Sequence, residues 1–391
     1  MALPGIATTT TVAGTGGLTT NRPLANGIFA NNVGRAGVGA AIRNAASFTG
    51  LYTPFVDGDV IANQQEEVTK GLWSNNVGTL TTFFTSSTET ATQKTYYYEV
   101  FQSASTTETA APQFSVAYGH INGSGSAESG TSYSDYPTKA IYSQYRQLLL
   151  EPNDSKFTFN GTDSNHIYVI NINRARMRER IDEGNFELSL AALTGSTNPV
   201  VSASSTPIKL IDDSTLNTAT VNSAGKVYNL VSGTIADGVY NSSAPHYYGL
   251  FYPQHGIAVL NADTLNLSAS FSTNVSSNTA GDNAFRIFTS ISGAASNFSL
   301  GFKARSAEQV KSTYYFVRVK NLEYNYSNNP SYVTGSEGEL AQATFVTDPK
   351  VYITSVGLYN DRQELLAVAK LSKPLMKSFT REANIKVKLD F

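Results

Sequence analysis

The sequence predicts a mainly β protein: β-sandwich or jelly-roll-like domains, one or two short helices and an extended N-terminal arm. Three observations predict it. Short runs rich in aromatic and β-branched residues recur, as in 95–102 (TYYYEVFQ), and such residues suit a pleated, half-buried surface. Other runs alternate apolar and polar residues, which turns one face toward a core and the other toward water. Asn122-Gly123 and Asn160-Gly161 punctuate these runs, and both residue types accept the positive φ of tight turns.

Residues 1–60 form the predicted arm. They are rich in Thr, Gly, Ala and Asn (Thr8, Thr9, Thr10, Thr11, Gly14, Gly16, Gly17, Asn31, Asn32) and follow no stable period. Alone, such a segment buries too little apolar surface to offset its ordering entropy. The stretch reads either as a floppy terminus or as an arm that orders against a neighbouring subunit, with a short helix at 36–48. A β-rich domain is expected over 61–195, with runs at 79–86 and 95–102. Its helix is expected at 138–150, because Ile141, Tyr145, Leu148 and Leu149 fall on one helical face and Pro152 stops it. A hairpin is expected about Asn160-Gly161, joining 157–159 to 166–172. Residues 173–184 read as a second short helix, with Asn173 capping its start and Gly184 its end.

A second β-rich domain or insertion is expected over 196–305, opening with a Ser/Thr-rich loop or boundary at 196–222. Within it Leu265, Leu267, Ala269 and Phe271 alternate with polar residues, as do Phe298, Leu300 and Phe302. The C-terminal β unit is expected over 306–391. Its last strand places Ile385, Val387, Leu389 and Phe391 inward and Lys386, Lys388 and Asp390 outward. Residues 357–361 (GLYND) read as a turn before 365–369.

Composition narrows the function. The chain has 391 residues, 41% of them hydrophobic, with 22 Tyr and 20 Phe. That supplies a core and argues against disorder along the whole chain. The 28 Lys and Arg are set against 30 Asp and Glu, whereas a general nucleic-acid binder is basic. With no Cys, disulfides, thiolate metal sites and a Cys nucleophile are excluded. Met1 to Asn21 lack a basic start and a Leu-rich stretch, and no run of about eighteen apolar residues occurs. The sequence therefore reads as soluble, not exported by the usual route, and without a membrane span.

Chemistry-bearing patterns are sparse. Of His120, His166, His246 and His255, only the last two are close in sequence, and no His spacing suits a metal. Carboxylates pair at Asp57/Asp59, Glu66/Glu67, Asp182/Glu183 and Asp212/Asp213. Asp57-Gly58-Asp59 opens like a calcium loop but does not continue as one. No phosphate loop, dinucleotide fingerprint or nucleophile elbow occurs. Arg174, Arg176, Arg178 and Arg180 interleave with Glu179, Asp182 and Glu183, a pattern of salt-bridged contact rather than phosphate binding. The sequence thus assigns no catalytic, cofactor-binding or metal residue, and expects no enzyme and no cofactor. Asn-X-Ser patterns such as Asn122 and Asn266 carry no weight in so Asn- and Ser-rich a chain.

One resemblance adds to this. Residues 352–373 (YITSVGLYNDRQELLAVAKLSK) resemble the ending IT.IGLYN..NELLAVAKLSKP of structural proteins of T4-like tailed bacteriophages of marine bacteria and cyanobacteria. Residues 167–190 (IYVININRARMRERIDEGNFELSL), 247–260 (YYGLFYPQHGIAVL) and 316–333 also resemble segments of those virion proteins. The resemblance implies a virion component assembled in the host cytoplasm, baseplate- or tail-associated. Neck, collar, fibre-attachment and capsid positions are alternatives, and a tail-borne glycan depolymerase a more distant one. The implied partners are other virion proteins and copies of the chain itself. Neither nucleic acid nor a membrane is expected as a partner. Abundant Tyr suits broad contact surfaces with polar tips.

Overall fold

The computed structural model describes residues 8–11, 19–22, 55, 58–85, 96–104, 110–126, 136–195, 198–273, 280–327, 329–335, 337–360 and 362–390. The protein is mainly β, as its sequence predicts. It divides into two compact units, Glu67–Gln309 and a second built from Met1–Glu66 with Val310–Phe391. The chain passes between them along two long strands, β1 (Val60–Gly71) and, later, Arg305–Val319. The boundary expected near residue 195 falls inside the first unit, where strands from before and after it are direct neighbours.

That unit is organised by one antiparallel sheet. In chain order its strands are β2 (Thr79–Leu80), β3 (Phe84–Thr85), β4 (Tyr97–Phe101), β5 (Pro112–His120), β6 (His166–Ile172) and β7 (Glu187–Leu190). Then follow β8 (Ile208–Asp212), β9 (Gly225–Thr234), β10 (Tyr247–Tyr252), β11 (Ile257–Asn261) and β12 (Phe302–Lys303). Their spatial order is β2-β12-β7-β8-β9-β10-β11-β6-β5-β4-β3. β6 (HIYVINI) does not alternate because both its faces are buried. Ile167 and Val169 pack with α1 (Pro137–Leu149), while Tyr168, Ile170 and Ile172 join the opposite core. That core also takes residues from α2 (Ala262–Ala269) and α3 (Ala280–Phe298), including Leu265, Ala284, Ile287 and Ile291. Close approach of α1 needs Gly119 on β5: a Cβ there would sit 2.9 Å from the Tyr142 backbone nitrogen.

The sheet curls. Phe114 on β5 and Phe302 on β12 belong to opposite ends of the strand order, yet their ring centroids are 5.4 Å apart. Trp73 sits against both, at 4.8 Å from Phe302 and 5.9 Å from Phe114. Its indole Nε1 donates to the Phe302 carbonyl at 2.9 Å. Phe186 extends the cluster to Phe251 on β10, at 4.4 Å. Edge-to-face and tilted aromatic pairs add to the gain from burial itself.

The second unit is a small sandwich. In one layer the later part of β13 (Arg305–Val319) pairs with β16 (Ala383–Asp390), and Phe316 N–H donates to the Asp59 carbonyl beside β1. The other layer is a ribbon of β14 (Val351–Tyr359) and β15 (Leu365–Lys377). Tyr315, Val317, Ile385 and Val387 from the first layer share a core with Ile353, Val356 and Leu358 from the second, joined by Phe55. In the arm, Thr8–Thr11 pairs with Thr19–Arg22. The helix expected at 36–48 lies outside the described residues, as do Asp57, Asp361 and Phe391.

Several expectations are corrected. The helix α1 turns Thr138, Tyr142, Tyr145 and Leu149 inward, while Leu148 is exposed. The turn at Asn160 (φ 46°) and Gly161 (φ 80°) forms, but it joins Phe157–Phe159 to Thr162–Ser164, leaving β6 free for the main sheet. Of 173–184 only Arg174–Arg176 is helical; Arg180 and Ile181 then pair with Ala307 and Ser306, which holds the chain extended. Residues 262–269 are a helix, not a strand: Asn261 accepts the Asp263 N–H, Leu265 and Ala269 are buried, and Leu267 is 88% exposed. Phe298 ends α3, which the sequence reading missed. The stretch read as a loop at 196–222 contributes β8 to the middle of the sheet. Gly357 lies within β14, and the bend follows at Asn360, which accepts from Arg362 and Glu364 N–H.

Two measurements check the cores. In denaturant melts, Trp73→Ala should cost about 3–5 kcal/mol, whereas Trp73→Phe, which keeps a ring but loses the N–H, should cost about 1 kcal/mol. In the sandwich, Val387→Ala should cost about 1.5–3 kcal/mol. The neighbouring Lys386→Glu should cost no more than about 1 kcal/mol, the value of an exposed cation on an aromatic face; Lys386 Nζ lies 3.7 Å from the Tyr314 ring centre.

Candidate functional site

One grouping of chemistry-bearing side chains lies where β5, β6 and α2 meet. His166 Nε2 is 2.7 Å from Asp263 Oδ1, and its Nδ1 is 3.1 Å from the Tyr118 hydroxyl. Burial pushes the Tyr118 phenol up. The phenol and the carboxylate take one ring nitrogen each. His120 lies edge-on to His166 at 5.8 Å, and burial, followed by His166, holds its pKa below the usual range. Its Nδ1 accepts the Asn122 N–H at 3.1 Å.

Ser164 completes the grouping without becoming a nucleophile. Its hydroxyl donates to the His166 carbonyl at 2.7 Å, and it is fully buried. Both nitrogens of the His166 ring are taken, neither by Ser164. A Ser–His–Asp acyl-transfer relay needs the serine hydroxyl on a ring nitrogen and open to substrate. Here the same residue types tie the end of β6 to the first turn of α2.

The carboxylates found in sequence do similar work. Asp212 accepts Gly184 N–H at 2.9 Å and Ser214 N–H at 3.2 Å. Asp213 accepts Asn229 N–H at 2.8 Å and the Asn217 and Asn229 amides at 2.8 and 2.9 Å. Asp212 thus ties the loop at Gly184 to the turn after β8, and Asp213 ties that turn to β9. Asp59 accepts from Arg318 Nε at 2.6 Å beside a shallow depression of about 310 Å³ lined by Gly58, Ile61, Phe316 and Asn384. Glu66 binds Lys388 and the Tyr314 hydroxyl. His246 lies edge-on to Tyr248, and among the described residues no cluster of His, Asp and Glu could hold a metal.

The arginine run pairs within its own unit. Arg178 meets Glu308 at 3.1 Å, Arg180 binds Glu67 and lies 3.7 Å from Glu183, and Glu183 also takes Lys226 at 3.0 Å. Arg174 donates to the Glu179 carbonyl and Arg176 to Ser74. In the second unit, buried Lys377 gives its three ammonium protons to the Asn321 carbonyl, Asn325 Oδ1 and the Ser378 carbonyl, at 2.8, 2.9 and 3.0 Å. A fully donated ammonium has no lone pair for nucleophilic work.

Sequence reasoning missed the Tyr118–His166–Asp263 contact. Its members are 97 residues apart at the widest hydrogen bond, His166 to Asp263. No spacing rule spans that. The comparisons with known proteins add no constraint: no family model, no curated protein and no solved structure matches the chain.

Asp182 offers a measurable electrostatic signature. Burial, and then the neighbouring Glu67 charge, push its carboxyl from 3.8 up to about 6. The folded protein therefore holds this proton more tightly than the unfolded chain does. That contribution is complete below pH 3.8 and is lost as pH rises through about 6. Asp182→Asn, which can still accept from Asn185, should stabilise the protein at pH 7 by about 1–2 kcal/mol. Urea melts between pH 4 and 7 should show the difference from the natural chain vanish at the acid end.

Proposed function

We propose that the chain is a structural component of a tailed-phage virion, a baseplate or tail protein that works through contacts between subunits. The observation that carries this reading is the stretch 352–373 and its likeness to T4-like phage structural proteins. Two features support it. The stretch builds a β ribbon whose inner face fills the sandwich core, while Tyr352, Leu366 and Val368 stay exposed. Elsewhere the buried carboxylates and the His166 network are engaged in holding backbone, and none of these groupings forms a catalytic relay. In this reading the protein is not an enzyme, carries no cofactor, and meets other virion proteins and its own copies.

Purified particles test this directly. Mass spectrometry should find the protein in virions at a constant ratio to a tail protein, and gold-labelled antibody should mark the baseplate or tail. Labelling at the neck or head would move the position. Absence from purified particles would overturn the reading. Release of reducing ends from host surface glycan by the purified protein would replace it with a depolymerase.

A further inference from the structure

Lys377 is the last residue of β15 and lies across from Val351 on β14. It is fully buried. The lysines that form ion pairs, Lys226, Lys303, Lys350 and Lys388, all have side chains at least 37% exposed. Lys377 reverses that pattern. Among the described residues its ammonium meets three neutral oxygens and no carboxylate. A buried cation without a counter-charge is costly, so a reaction that removes the charge is favoured there. Burial pulls the Lys377 pKa down, against the charges of Glu323 and then Glu382.

One of the three oxygens belongs to a side-chain amide. Asn325 Oδ1 is 2.9 Å from Nζ. The Asn325 carbonyl carbon, one bond of about 1.2 Å beyond, is therefore no more than about 4 Å from Nζ. Reacting atoms held ready to combine sit about 3–3.5 Å apart. The amide is already oriented: Nδ2 donates to the Asn321 carbonyl at 2.6 Å, which leaves Oδ1 facing Lys377. The Tyr332 hydroxyl donates to the Asn325 backbone carbonyl at 3.0 Å and holds the loop from the other side. As an ammonium, Lys377 has no lone pair. Loss of the proton it gives to Asn325 frees a pair that points at that same amide.

We propose that Lys377 and Asn325 join in an intramolecular amide bond, formed with no cofactor and no second substrate. Glu323, two residues before Asn325 and itself held by the Lys320 N–H at 3.2 Å, carries the proton. Nζ passes one proton to Glu323 and attacks the Asn325 side-chain carbon, forming the Nζ–Cγ bond. Nζ then gives its second proton to Nδ2, the Cγ–Nδ2 bond breaks and ammonia leaves. Ammonia takes the proton from Glu323. One ammonium and one amide react, one amide and one ammonium result, and the buried charge is carried into water. The bond closes residues 325–377 into a covalent ring, in a chain that has no Cys for a disulfide. The proposal does not rest on the virion reading.

Intact mass spectrometry of the purified full chain at neutral pH reads the reaction. The natural chain should weigh about 17 Da less than its sequence, the mass of the ammonia lost. Asn325→Ala and Lys377→Met should each show their full mass. Trypsin should spare the bond after Lys377 and release one branched peptide that holds both residues. In a boiled denaturing gel the ringed chain should run ahead of Asn325→Ala. Glu323→Gln should slow the mass loss about tenfold or more; an unchanged rate overturns the proton path. A folded natural chain at full mass, cut normally after Lys377, overturns the proposal and leaves Lys377 a hydrogen-bonded staple. The same mass loss in Asn325→Ala also overturns it.

Discussion

The first unit depends on the aromatic contact that closes its sheet. Eleven antiparallel strands in one path would be an open surface with two unprotected ends. The contact of Phe114 with Phe302 brings strands near those two ends together, and Trp73 fills the space and bonds to Phe302. Curling converts one face into an enclosed core, into which α2 and α3 also pack. The other face is covered by α1, which is why β6 carries apolar residues on both sides. The sequence needs no disulfide because closure is achieved by packing, and packed rings are lost together rather than one at a time.

Charge is used locally and sparingly. Asp212 and Asn261 accept loop and helix N–H groups, and Asp213 accepts the Asn229 N–H of β9. An unmade bond at such a buried group costs more than an average made one contributes. His166 belongs to the same class: its two nitrogens are spent on Tyr118 and Asp263. Such groupings resemble catalytic ones in composition, and geometry separates them. A working site leaves a reactive atom facing a space, whereas Ser164 faces a backbone carbonyl.

The sandwich shows how one segment serves two surfaces. On β15, Ala367, Ala369 and Leu371 pack against the core, while Leu366, Val368 and Lys370 alternate outward. The period of two that buries one set necessarily presents the other. Among the described residues nothing covers the apolar side chains on the presented side of this strand.

The sequence by itself determined the β class, the turn at Asn160-Gly161, the existence of α1 and the inward placing of Ile385, Val387 and Leu389 on the last strand. In each case the signal is local: a turn residue's φ, or a repeat carried by adjacent residues. Tertiary structure decided the rest. Leu265 and Ala269 satisfy both a period of two and a spacing of four, so only their burial and the Asn261 cap made α2 a helix. The partner of β6 could not be read from a hairpin rule, because its neighbours β5 and β11 lie far off in the chain. The His166 grouping and the Trp73 closure were illegible for the same reason. They join residues that the chain itself keeps far apart, and curling of the sheet, not local preference, sets their distance.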